Sequence, residues 1–96
     1  MNGAVSHTHT YNVTCTDADT EYSQALPSFC SYFFIKCRQE SSELKFSFVS
    51  EESGTVYTTI GAGSFYWEYG RFSGQKTLYF QSPQAGTVVE IRAQDS

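Results

Sequence analysis

Little in this chain is equipped for chemistry. It has two histidines, His7 and His9, both at the N-terminal edge. No Gly-x-Ser-x-Gly elbow sets a serine beside either of them, which argues against acyl transfer by an activated nucleophile. The acid within the most aromatic stretch, Glu68, has no second carboxylate beside it, and glycoside hydrolysis needs a pair. Three cysteines, Cys15, Cys30 and Cys37, form no Cys-x-x-Cys spacing, so a zinc knuckle is not expected. Cys30 and Cys37 differ in strand parity, and all three are read as packing thiols that behave as small hydrophobes. Six basic residues against ten acids give a net charge of −4 with no basic patch, which excludes a phosphate-tracking nucleic-acid platform. No run approaches the roughly 20 apolar residues of a spanning helix. The first ten residues hold neither a basic nor an apolar leader region, so a soluble protein made in the cytoplasm is expected. A sustained period near 3.6 is missing as well, which removes long amphipathic helices.

A period of two takes its place. From His7 to Thr16 one parity reads His7, His9, Tyr11, Val13, Cys15, and the other reads Thr8, Thr10, Asn12, Thr14, Thr16. Side chains alternate faces in this way only along a strand. The pattern returns over about 21–26, 31–39, 44–49, 55–60, 65–69, 77–81 and 87–93. Turn-rich stretches separate these runs, among them Gly61-Ala62-Gly63 and Ser82-Pro83-Gln84-Ala85-Gly86. The expectation is an all-β chain: a single small β-sandwich or jelly-roll-like barrel of about eight antiparallel strands. Residues 1–6 read as a flexible N-terminal arm and 7–96 as the β-sandwich domain. The alternation predicts a core of Val13, Leu26, Phe33, Ile35, Leu44, Phe46, Phe48, Val56, Ile60, Trp67, Leu78, Phe80, Val89 and Ile91.

Eight Phe, seven Tyr and one Trp are more rings than a core of this size can hide. Tyr32, Phe34, Tyr57, Tyr66 and Tyr79 fall on the wrong parity for that core. Large aromatics bury about 150–250 Å² each, so five on one surface approach the roughly 800 Å² that each partner gives to a standard interface. These five are the candidate protein-interface residues. The competing readings are a second buried sheet face and a carbohydrate platform. His7 and His9 would share a strand face about 7 Å apart, a spacing able to chelate a metal. A polar strand start is the plainer reading, and no catalytic residue, metal or cofactor is assigned.

The stretch Phe33-Phe34-Ile35-Lys36-Cys37-Arg38 leads into Leu44-Lys45-Phe46-Ser47-Phe48. Gly54-Thr55-Val56-Tyr57-Thr58-Thr59-Ile60 follows, then Gly61-Ala62-Gly63-Ser64, Thr77-Leu78-Tyr79-Phe80-Gln81-Ser82 and Ala85-Gly86-Thr87-Val88-Val89-Glu90-Ile91. In order and spacing, over about Val13 to Ile91, this resembles small β-sandwich virion proteins of tailed bacteriophages, of the capsid decoration or cement type. The resemblance implies a non-enzymatic structural protein on the capsid surface, made in the host cytoplasm. Its implied partners are the major capsid protein and further copies of itself, as a homo-oligomer such as a trimer; nucleic acid and membrane are not among them. Alternatives are a carbohydrate-binding or host-attachment module using Tyr66, Trp67 and Tyr69, and a head–tail or tail component.

Overall fold

The computed structural model describes residues 8–69 and 76–95. The arm expected over 1–6 and the imidazole of His7 lie outside the described residues. Eight strands follow one another: β1 (Thr8–Cys15), β2 (Tyr22–Ala25), β3 (Cys30–Cys37), β4 (Leu44–Ser47), β5 (Thr58–Ile60), β6 (Phe65–Tyr69), β7 (Thr77–Gln81) and β8 (Thr87–Asp95). No helix occurs among the described residues. The strands form two four-stranded antiparallel sheets, ordered β1-β8-β3-β6 and β2-β7-β4-β5. This is the expected all-β architecture, in its sandwich form.

Alternation decides which side of each strand is buried. In the first sheet Cys15, Phe33, Ile35, Cys37, Val89, Ile91 and Ala93 point inward; in the second Leu44, Phe46, Leu78 and Phe80 meet them. Each large apolar side chain taken from water in this way contributes about 1.5–3 kcal/mol. The two glycine turns do what their sequence suggests. Gly63 and Gly86 adopt φ of +77° and +82°, a region that costs glycine no Cβ clash. The Ser64 amide donates to the Gly61 carbonyl at 3.0 Å to close the first turn.

One end of the sandwich is knitted by buried hydroxyls. Thr87 Oγ1 donates to the Gln84 carbonyl at 2.7 Å and lies 3.1 Å from Ser82 Oγ and 3.0 Å from Ser42 Oγ. Buried polar groups are tolerable when paired among themselves in this way. A second clamp crosses the second sheet. The Glu21 carboxylate accepts from the Glu51 amide (2.8 Å), the Ser53 amide (3.1 Å) and Ser53 Oγ (2.6 Å). Burial pushes the Glu21 pKa up, but these three hydrogen bonds outweigh it and hold the carboxyl below the usual glutamate range.

Four expected core positions are not fully buried. Val13 is only half-buried against the core. Phe48 lies past the end of β4 and is 39% exposed. Val56 stands in an exposed turn, where its amide and that of Thr55 both donate to the Glu52 carbonyl; β5 begins only at Thr58. Trp67 points outward, because β6 pairs with β3 in a register that sets Tyr66 opposite Ile35 and Trp67 opposite Phe34. Cys15, Cys30 and Cys37 are buried in the core, as expected of packing thiols, and Ala93 joins them at a position that the expected core did not include.

Candidate interaction surface

The two long sides of the sandwich differ. Along one, β1 and β2 approach each other, and Tyr11, Val13 and Tyr22 pack against the core. Along the other, β5 spans only three residues, and the space between it and β6 stays open. A cleft of about 220 Å³ lies there between Phe46, Phe48, Val56, Tyr57, Thr58 and Tyr66. Its floor is an aromatic cluster: Phe46 to Tyr66 at 5.2 Å between centroids, Phe46 to Phe48 at 6.0 Å and Phe33 to Phe48 at 5.9 Å. The Tyr66 hydroxyl donates to Glu68 Oε1 at 2.6 Å, which raises the tyrosine pKa and gives the phenol a partner at the cleft mouth.

The outer face of β6 continues this apolar region. Phe65, Trp67 and Tyr69 are 57%, 48% and 69% exposed. The β3 register places Tyr32 opposite Tyr69 and Phe34 opposite Trp67, so the rings of both strands form one wall. Phe34 and Phe65 lie 5.4 Å apart, and Tyr32 and Trp67 6.2 Å. Trp67 and Tyr69 stack with planes 1° apart and centroids 5.3 Å apart, too close for rings lying side by side in one plane. This is an offset stack, in which each ring covers part of its neighbour's face.

Beside the wall, the outer side of β8 and β3 is polar. Glu90 bridges Arg38 (2.8 Å) and Lys36 (3.9 Å). Arg92, exposed next to Phe34, pairs with no carboxylate among the described residues. Three cations against one acid make this face basic on a chain of net charge −4. Exposed Trp and Tyr with Arg nearby is the composition of binding hot spots.

The five residues expected to form one interface do not lie together. Tyr32 and Phe34 join the wall. Tyr79 belongs to the second sheet, paired with Ser47 and Ser23, while Tyr57, with Lys45 Nζ 4.9 Å over its ring, lines the cleft together with Tyr66. Tyr66 faces inward against the core. The sequence reading named Trp67 and Tyr69 only in its carbohydrate alternative, beside the inward Tyr66, and did not include Phe65. It took the face with three rings as inward and the face with Glu68 as outward, and only the pairing with β3 reverses that choice.

Nucleophile chemistry finds little support in the groups present. Burial pushes the Cys15 and Cys37 thiols up to about 11 and raises that of Cys30, so all three stay protonated near neutral pH. Ser53 and Glu21 are a hydroxyl–carboxylate contact, but Ser53 is fully buried and the lowered pKa of Glu21 makes it a weak base. His9 stacks on Tyr11 and its Nε2 lies 2.9 Å from Asp95 Oδ2, an ion pair when the ring is protonated. Among the described residues no group of three His, Cys, Asp or Glu side chains is placed to hold a metal ion. Comparison with protein families, curated proteins and solved structures finds no match to this chain.

Proposed function

We propose that this chain is a structural protein of a virus particle, a decoration or cement protein of a tailed-bacteriophage capsid, which docks on the shell through the ring wall of β3 and β6. One observation carries the reading: Phe65, Trp67 and Tyr69 stand uncovered beside Tyr32 and Phe34. Contiguous apolar patches of more than a few hundred Å² are rare on free monomers and mark interaction sites. The β-sandwich itself agrees with the resemblance noted from the sequence. In this reading the partners are the major capsid protein and neighbouring copies, and the site of action is the outer surface of the particle.

Exposed Trp67 and Tyr69 also suit a carbohydrate wall, the reading that competes most directly. Their stack covers one face of each ring, so a sugar would have to use the outer faces that remain. The test is a Trp67→Ser, Tyr69→Ser double variant. Two lost hot spots of about 2 kcal/mol each lower affinity by roughly a thousandfold. Occupancy on purified particles should collapse while the melting temperature stays near that of the parent. Full occupancy at unchanged stability overturns the reading, and retention of the parent chain on a polysaccharide column with no particle binding transfers it to carbohydrate.

A further inference from the structure

We propose that β6 pairs edge to edge with β6 of a second copy, antiparallel about a two-fold axis through Trp67, so that two first sheets become one eight-stranded sheet. The inference builds on the docking reading, since it names a second copy as an occupant of the same strand.

This edge is lightly guarded. Sheet edges are normally blunted by charged side chains, Pro, bulges or short length, and on β6 Glu68 alone acts in this way. The edge β2 has four residues and stops before Pro27, and the edge β5 has three. The long edge β1 turns a polar row outward, Thr8, Thr10, Asn12 and Thr14. By contrast β6 runs Phe65-Tyr66-Trp67-Glu68-Tyr69, with no basic residue, no proline and no register break against β3. Among the described residues no backbone hydrogen bond reaches it from its free side.

Register is selective as well. A two-fold axis perpendicular to the sheet keeps each residue on its own face, so outward rings must meet outward rings. Centring on Trp67 sets Phe65 opposite Tyr69 of the other copy, Trp67 opposite Trp67, and Tyr66 opposite Glu68. All five residues then pair, and the one charge on the strand faces a phenol instead of a second charge; that hydroxyl already donates to Glu68 of its own chain at 2.6 Å, so the gain is avoided repulsion and not a new hydrogen bond. Centring on Glu68 opposes two carboxylates directly, which is destabilising. Centring on Tyr66 leaves Tyr69 unpaired. Charge and ring placement therefore select one register. Five paired strand residues per copy are far fewer than the roughly 20–30 a side of a standard interface. Pairing is accordingly weak between free molecules and strengthened where copies are crowded on a common surface.

Single-cysteine variants test the register without particles. Residues facing each other across such an axis hold their Cβ atoms about 4.5–5.5 Å apart, close to disulfide range. Trp67→Cys should form a covalent dimer under mild oxidation at least ten times faster than Phe65→Cys or Tyr69→Cys alone, while a mixture of the latter two should yield the heterodimer. The native thiols are buried and do not compete. Equal rates for the three single variants overturn the proposal. As a check free of new cysteines, the parent should show a concentration-dependent rise in sedimentation mass up to about 1 mM, an affinity of only some 4 kcal/mol. Trp67→Lys, which opposes two lysines on the axis, should abolish that rise. A parent that stays monomeric also overturns it. Dimerisation without particle occupancy would remove the docking reading and leave the pairing intact; occupancy without dimerisation would do the reverse.

Discussion

The two long sides of this sandwich begin from similar material and finish differently. On the β1–β2 side, Tyr11, Val13 and Tyr22 cover the core, and the Tyr22 hydroxyl accepts a hydrogen bond from the Asp17 amide at 2.9 Å. There the rings close the structure. On the β5–β6 side, Phe46 and Tyr66 line a cleft, while Phe48, Val56 and Tyr57 remain exposed. The difference follows from strand length: β1 has eight residues and shields its side, whereas β5 has three and cannot. A short edge strand leaves an apolar surface that only another molecule can cover. Closure and binding are here alternative fates of the same residue types.

That contrast can be broken most forcefully at Phe46, which is 3% exposed yet lines the cleft. Phe46→Ala should cost about 3–5 kcal/mol, read by denaturant unfolding. A much smaller loss would mean that the open side contributes little to the fold. Leu26→Ala, buried on the closed side, should cost about 2–5 kcal/mol by the same mechanism.

A smaller effect is expected at Glu21, whose carboxylate ties the start of β2 to the loop bearing Val56 and Tyr57. Its folded pKa lies below the unfolded value of about 4.3. The stabilisation is therefore whole above that pH and disappears as pH falls through the lowered folded value. Glu21→Gln should be less stable than the parent by about 1 kcal/mol at pH 7, after discounting for partial exposure. The two melting curves should converge in acid; a gap that persists at pH 2 would refute the carboxylate clamp. Least of all, Val56→Ala should shift stability by under about 0.5 kcal/mol, because its side chain is 66% exposed.

Most of the fold was legible in the alternation. Strands β6 and β7 have the expected limits, and Phe33, Ile35, Leu44, Leu78 and Phe80 are buried where their parity put them. Alternation fails where backbone geometry or pairing overrules it. Val56 is in phase with Thr58 and Ile60, yet the turn from Glu52 takes it out of the strand. In β6 both parities are aromatic, so the choice rests on contacts with β3 that are far away in sequence. Of the candidate site, the surplus of rings was readable and its placement only in part: Tyr32 and Phe34 are in the wall, Tyr57 lines the cleft with Tyr66, and Tyr79 is on the other sheet. No single-strand pattern reports which sheet face a neighbour will leave bare.

The register of β1 against β8 sets Thr8 beside Gln94, and the His9–Asp95 contact pins that corner. The first and last described strands thus start and stop as immediate neighbours, on the part of the sheet farthest from the β6 edge. For protein engineering this geometry is permissive. A short linker joining Asp95 directly to Thr8, in place of the residues beyond them, would cross only between neighbouring strands, and the chain could be reopened at an exposed turn with every strand retained. A reporter or antigen fused directly to Thr8 would emerge beside that corner, leaving the ring wall free to meet whatever covers it.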